Sequence, residues 1–363
     1  MANIIISPSK YVQGKGEMEN LGKHFSTLGK KLFVIISSSG EKRFSETIKK
    51  SFEKSEIDIH FAIFNGECSK VEIDRLSKLY KETGCNGVVG VGGGKILDTA
   101  KSVAHFNNSK VAVVPTIAST DAPCSALSVL YTEDGVFDKY LFLPSNPNCV
   151  VVDTDVVSNA PVRLLVSGMG DALATYFEAR AAKASNSNNF AGGKATLTAM
   201  AIAELCYKTL MTDGLKAKIA LEAGVCTKSV ENIIEANTFL SGIGFESVGI
   251  AAAHAIHNGM TVLEECHHLY HGEKVAFGTL AQLVLENAPN EELEKVIEFC
   301  MSVGLPTTLE DLGVTEINKE KIMGVANATC AEGETVFNMP MDINPEVVYA
   351  AIMGADAIGR YYK

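Results

Sequence analysis

Short runs of apolar, mostly β-branched residues alternate with helically spaced apolar positions through the first half of the chain. Residues 32–36, 58–64, 87–91, 111–115 and 150–153 are such runs, and their lack of polar alternation predicts strands covered on both faces. Between them, 44–54 and 70–83 repeat apolar residues at helical spacing. That order predicts a parallel, doubly wound sheet. Runs at 128–132 and 139–143 flank Glu133-Asp134-Gly135, which predicts a hairpin grafted onto it. After Pro161 the strand-like runs stop. Helical patterns fill 163–183, 191–210, 215–240, 291–303, 319–331 and 345–362. The expected organisation is an α/β domain over 1–160 and an all-α domain over 161–363, with the boundary in the Ser-Asn-Ala-Pro turn at 158–161.

The densest candidate chemistry lies at 246–278, where five of the chain's eight histidines fall: His254, His257, His267, His268 and His271. From 249 to 256 every residue but His254 is Gly, Ala or Ile, a composition suited to a closely packed helix. His267 and His271, at i and i+4, are expected on one face of a second helix. Neutral imidazoles in an apolar bundle are good ligands for zinc or iron, although a single buried histidine is more often bonded to a backbone carbonyl. Two histidines do not close a site, so a carboxylate must come from elsewhere. Asp171, in Ser-Gly-Met-Gly-Asp-Ala-Leu at the mouth of a helix, either caps that helix or is that ligand. Asp171, His254 and His271 would make three protein ligands with an open fourth position, as in catalytic metal sites. Spacing does not choose among His267, His268 and His271.

A second candidate lies at 86–101, NGVVGVGGGKILDTAK: a strand, three glycines, then a helix. Gly92, Gly93 and Gly94 let the backbone approach a phosphate, and the helix opening at Lys95 aims amides at it. Lys95 stands where G-x-G-x-x-G would want Gly or Ala, so this is not the usual dinucleotide fingerprint. Val89 and Ile96 rule out a P-loop, and nothing here resembles a magnesium site, which favours a dinucleotide over a triphosphate. The next strand leads into PTIASTDAPCSALS, where Thr116, Ser119 and Ser125 offer hydroxyls to a nicotinamide amide or ribose. Asp121, the one charged side chain in that loop, either forms an Asx-turn before Ala122-Pro123 or meets the substrate.

Composition narrows the partners. A net charge of -11 without any basic run argues against nucleic acid or an anionic membrane. Nine cysteines, an odd number with no CxxC pair, read as reduced thiols in a cytoplasmic protein. No apolar run is long enough to span a bilayer, and residues 3–6 are too short for a signal peptide core.

Taken together, GVGGGKILDTAK, PTIASTDAPCSALSVLYT, GMGDALATYFEAR, FLSGIGFES, AAAHAIHNG and HHLYHGEKVAFGTLAQLVLENAP resemble the iron-containing (group III) alcohol dehydrogenases nearly end to end, and within them the members that oxidise glycerol. The resemblance implies the dehydroquinate synthase-like fold, a Rossmann-like NAD-binding domain followed by a helical metal- and substrate-binding domain. It implies that Asp171, His254 and His271 hold zinc, with iron or manganese as alternatives. It places Gly92, Gly93, Gly94, Lys95, Asp98, Thr116, Ser119, Ser125, Leu127 and Tyr131 at NAD, and Asp121 and His254 at glycerol as the catalytic pair. The implied reaction is reversible oxidation of glycerol to dihydroxyacetone by a homo-oligomer, commonly an octamer. One departure stands out. The family usually places an aspartate for the adenosine ribose where this chain has Ser37, and Lys42 and Arg43 follow closely. NAD remains the expected cofactor. A lyase of the dehydroquinate synthase type would need Lys and Arg around a phosphorylated carboxylate, and 119–131 and 245–263 contain neither.

Overall fold

Six strands, four of them with largely buried side chains and the two at the edges only partly so, assemble into one parallel sheet, in a computed structural model that describes all of residues 1–363. The chain divides into two compact units: Ile6–Pro161, and Met1–Ile5 together with Val162–Lys363. The first five residues thus belong with the second unit. There Asn3 bridges Lys194 in parallel, and Ile4 N–H donates to the Lys194 carbonyl at 3.0 Å.

In the first unit the strands are β1 (Tyr11–Gly14), β2 (Lys31–Ile36), β3 (Asp58–Ile63), β4 (Gly87–Gly92), β5 (Val111–Pro115) and β8 (Cys149–Asp153), in the order β1-β8-β5-β4-β2-β3. Helices α1 (Leu21–His24), α2 (Ser38–Glu53), α3 (Lys70–Thr83), α4 (Gly94–Phe106) and α5 (Thr154–Ser158) complete it. Leu32, Val34, Ile36, Val89, Val91, Ala112, Val114 and Val151 pack with Ile48 and Phe52 in one core. Each large aliphatic side chain so buried contributes roughly 1.5–3 kcal/mol. At Gly90 a Cβ would lie 2.7 Å from the Ala100 Cβ, so glycine lets α4 lie close on β4.

Three local features differ from the sequence expectation. β1 is a half-buried edge strand, Tyr-Val-Gln-Gly, without the apolar run that marks the others. α2 begins six residues before 44 because Ser37 caps it, its Oγ accepting from Gly40 N–H at 3.0 Å. The hairpin of β6 (Leu127–Tyr131) and β7 (Phe137–Phe142) forms a separate two-stranded sheet instead of joining the main one. It is tied to α4: the Asp98 carboxylate accepts from Val129 N–H at 3.0 Å, and Ser128 Oγ donates to the Asp98 carbonyl at 3.0 Å.

The second unit is helical: α6 (Val162–Ala184), α7 (Leu197–Glu222), α8 (Lys228–Glu235), α9 (Ser241–Val248), α10 (Ala252–Met260), α11 (His271–Leu285), α12 (Asn290–Val303), α13 (Lys319–Thr329) and α14 (Pro345–Tyr362). The break expected between 210 and 215 is absent. Gly214 sits inside α7, where a Cβ would come 2.6 Å from Phe299, so it is a packing notch and not a helix breaker. The real interruption follows at Gly224, whose φ of 73° only glycine adopts readily. Residues 191–196 are not helical either; Thr196 Oγ1 caps α7 by accepting from Ala199 N–H at 3.0 Å. α8 runs into α9 through a π-helical turn at Ala236–Leu240. No single helix is long and apolar enough to cross a membrane.

Candidate metal and dinucleotide sites

Glycine contacts set the geometry of the histidine-bearing helices. A Cβ on Gly272 of α11 would fall 1.8 Å from the Ser167 carbonyl oxygen of α6, and one on Gly170 of α6 would fall 2.2 Å from the Gly272 carbonyl. The two backbones therefore touch, and the residues next to these glycines, Asp171 and His271, are carried together. On the other side a Cβ on Gly278 would lie 2.4 Å from the Ala253 carbonyl, which seats α10 and His254 equally close.

The outcome is a cluster in which ligand atoms of Asp171, His254 and His271 all lie within 4.8 Å of one another. His271 Nε2 is 3.0 Å and His254 Nε2 3.3 Å from the same oxygen, Asp171 Oδ1. One carboxylate oxygen and two imidazole nitrogens, converging from three helices, form a donor set that fits zinc or iron. His254 Nδ1 lies 2.5 Å from Glu178 Oε2, on the same helix as Asp171 and two turns further along. Burial alone would raise the Asp171 carboxyl; the His271 charge and hydrogen bonds from both imidazoles outweigh it and hold the group well below the usual carboxylate range. Burial would likewise lower His254, but the Glu178 charge and then Asp171 raise it well above an ordinary imidazole. His257, edge-on to His271 at 4.2 Å between ring centres, is pushed well down by burial and by the His271 charge, and so stays neutral.

The structure brings His271 into the cluster, and not His267 or His268. The helix expected to carry both His267 and His271 starts only at His271. The reason is its cap: Glu273 Oε2 accepts from Tyr270 N–H at 2.8 Å, and the same carboxylate is held by Arg163 at 2.6 and 2.8 Å. His267 is exposed and hydrogen-bonded to the Thr261 carbonyl at 2.9 Å, the ordinary role for a lone histidine. Glu178 escaped the sequence reading, although its i+7 spacing from Asp171 puts both on one helix face.

In the first unit, α4 opens at Gly94 directly after β4, and no side chain caps it. A Cβ on Gly94 would meet nothing nearer than 3.8 Å, so the space beside the first amides is open. A helix amino terminus with accessible amides and no cap fits a pyrophosphate. Thr116, Ser119, Asp121, Leu127 and Tyr131 are partly exposed, whereas Ser125 is buried beneath them with its Oγ toward the Ala122 carbonyl at 3.3 Å. Lys95 pairs with Glu67 and lies 5.9 Å from the centre of the Tyr131 ring. Asp98 is buried at 2.9 Å from Lys101 Nζ. Lys101, itself fully buried, donates to the Ala122 carbonyl at 2.9 Å and to that of Leu127. The two hold the second half of the serine-rich loop, from Ala122 to Leu127, and the start of the hairpin.

Residues 8–154 match the family model of the iron-containing alcohol dehydrogenases. Over the whole chain, the glycerol dehydrogenase of Citrobacter freundii is 55% identical across 362 residues, covering 100% of this chain and 99% of that one. The glycolaldehyde reductase of Halobacterium salinarum is 43% identical, covering 99% of each chain. A crystal structure of a probable glycerol dehydrogenase from Sinorhizobium meliloti superposes with a TM-score of 0.94 at 49% identity, over 99% of this chain and 100% of that one. This chain therefore belongs to the iron-containing alcohol dehydrogenase family and, within it, to the glycerol dehydrogenase group.

Proposed function

We propose that this protein catalyses the reversible NAD-linked oxidation of the secondary hydroxyl of glycerol to dihydroxyacetone, with a divalent metal, zinc first and iron or manganese as alternatives. The observation that carries the reading is the convergence of Asp171, His254 and His271 on one point from three helices. When bound, the metal supplies a positive charge that stabilises a developing alkoxide, and NAD accepts the hydride. The Asp171 carboxylate and the Nε2 atoms of His254 and His271 would hold the ion, which would take the place of any proton there. The amino terminus of α4, with Gly92, Gly93, Gly94 and Lys95, receives the cofactor pyrophosphate. Thr116, Ser119, Ser125, Leu127 and Tyr131 bound the rest of the dinucleotide, and Asp98 acts from beneath by holding Lys101 and the hairpin. Asp121 accepts a hydrogen bond from a neighbouring substrate hydroxyl and so selects the carbon presented for reaction. Nine free cysteines are consistent with the reducing cytoplasm, and a homo-oligomer, as large as an octamer, is the assembly we expect.

Chelation should abolish glycerol-dependent NAD reduction, and zinc or iron should restore it. His271→Ala should bind NAD yet remain inactive with either metal. Full activity in the chelated protein, or in that variant, would remove the metal from the reaction. The Halobacterium relative supports a second reading, reduction of a small hydroxyaldehyde. Comparing kcat/KM for dihydroxyacetone and glycolaldehyde with NADH decides between them.

A further inference from the structure

Helix α10 has no capping side chain of its own, yet its first amides are all taken by neighbouring helices. Gln282 Oε1 of α11 accepts from Ala252 and Ala253 N–H at 3.1 and 3.0 Å. Glu178 Oε1 of α6 accepts from Ala251 and His254 N–H, both at 2.9 Å. Backbone amides only donate, so Oε1 is an acceptor, and the positive end of the helix favours the ionised carboxylate. Oε2 of the same carboxylate, then also an acceptor, faces His254 Nδ1 at 2.5 Å. That contact leaves the ring nitrogen one role, as donor. A neutral imidazole with its proton on Nδ1 keeps its lone pair on Nε2, the atom that faces Asp171 and the candidate metal position.

We propose that Glu178 is a positioning residue that caps α10 and, through the same carboxylate, locks His254 in the Nδ1–H tautomer needed to bind the metal through Nε2. The proposal rests on Asp171, His254 and His271 being the metal ligands. A carboxamide of the same size cannot do both tasks. If its oxygen takes the two amides, its NH2 group donates to Nδ1 and moves the ring proton to Nε2, against the metal. Turned over, it sets NH2 against two N–H groups. Gln282 is the internal control, because it caps the same helix end and has no bond to His254.

The test is zinc affinity by chelator competition in Glu178→Gln, Glu178→Asp and Gln282→Leu, with circular dichroism and Tm alongside. Glu178→Gln should bind zinc about 10–100-fold more weakly, with its helix content kept. Glu178→Asp, shorter but acceptor-only, should fall between that variant and the wild type. Gln282→Leu should lower Tm while leaving zinc affinity unchanged. Wild-type affinity in Glu178→Gln, or an equal loss in Gln282→Leu, overturns the proposal. Should the Gln variant not fold, Glu178→Asp against Gln282→Leu makes the same comparison. A wild type that binds no zinc overturns the ligand assignment beneath it, whereas binding that Glu178→Gln shares overturns the tautomer lock alone.

Discussion

Adding one methyl group at Gly272 should damage the metal centre without touching any ligand. In Gly272→Ala the new Cβ would lie 1.8 Å from the Ser167 carbonyl oxygen and 2.8 Å from the Asp171 nitrogen, both backbone atoms of α6. Ordinary contact begins about 1.5 Å further out, so α11 must retreat by roughly that distance. Overpacking of this kind costs about 1–3 kcal/mol, which in a unit the size of the helical one lowers Tm by roughly 2–4 °C for each kcal/mol. The larger effect is on geometry. His271 Nε2 now lies 3.0 Å from Asp171 Oδ1. A shift of about 1.5 Å is some three times the tolerance of about 0.5 Å for such a site, so zinc affinity should fall at least tenfold. Gly324→Ala is the matched control, since its Cβ meets nothing within 4 Å. Lying inside α13, that change should stabilise by about 0.5–1 kcal/mol through the unfolded chain. Thermal unfolding and chelator competition on both variants give the answer. Unchanged Tm and zinc affinity in Gly272→Ala would refute the argument that the α6–α11 backbone contact builds the site.

Three further outcomes are expected. Gly94→Val has room within the protein but fills the approach to the first amides of α4, so NAD titration should show severe weakening with zinc content and Tm preserved; unchanged NAD affinity would reduce the loop to a structural turn. Ser37→Asp keeps a good cap on α2 and adds the missing carboxylate, so it should tighten NAD binding, by up to the 1.5–3 kcal/mol or so of a charged hydrogen bond, and depress any activity with NADP; an unchanged NAD/NADP ratio of kcat/KM would mean that residue 37 does not meet the adenosine ribose. Burial would raise the Asp311 carboxyl, but Lys363 and the Thr307 and Thr308 amides hold it below its usual range. The stability it contributes is present above about pH 3.9 and is lost as pH falls through its lower folded value, so the Tm gap between wild type and Asp311→Asn should shrink from pH 7 towards pH 3; a gap independent of pH would count against it.

Legibility in the sequence followed burial. β2, β4, β5 and β8 are continuous apolar runs because both faces are covered, and they could be read directly, whereas β1 at the sheet edge carries no such run. Ser37 looked like part of a ligand-binding turn, and in the structure its side chain caps a helix. The gap expected at 211–214 is helix, because a sequence does not show that Phe299 will press against Gly214. In the candidate site, the aspartate and two of the histidines were legible as residue types able to hold a metal. Glu178 was not, because its importance lies in whose amides it accepts, and those belong to a helix some seventy residues later.

The bridge between Asn3 and Lys194 has a consequence for how the protein is made. The α/β unit, Ile6–Pro161, is an insertion within the helical one, since residues on both sides of it belong to the same body. On a ribosome that unit is fully synthesised before α6 begins, and domains generally fold as units in that order. Ala2, Asn3 and Ile4 must wait for Lys194 and Asn189, nearly two hundred codons downstream, before their backbone groups find partners. They leave the tunnel ahead of the whole α/β unit, yet reach their place only after it has been made.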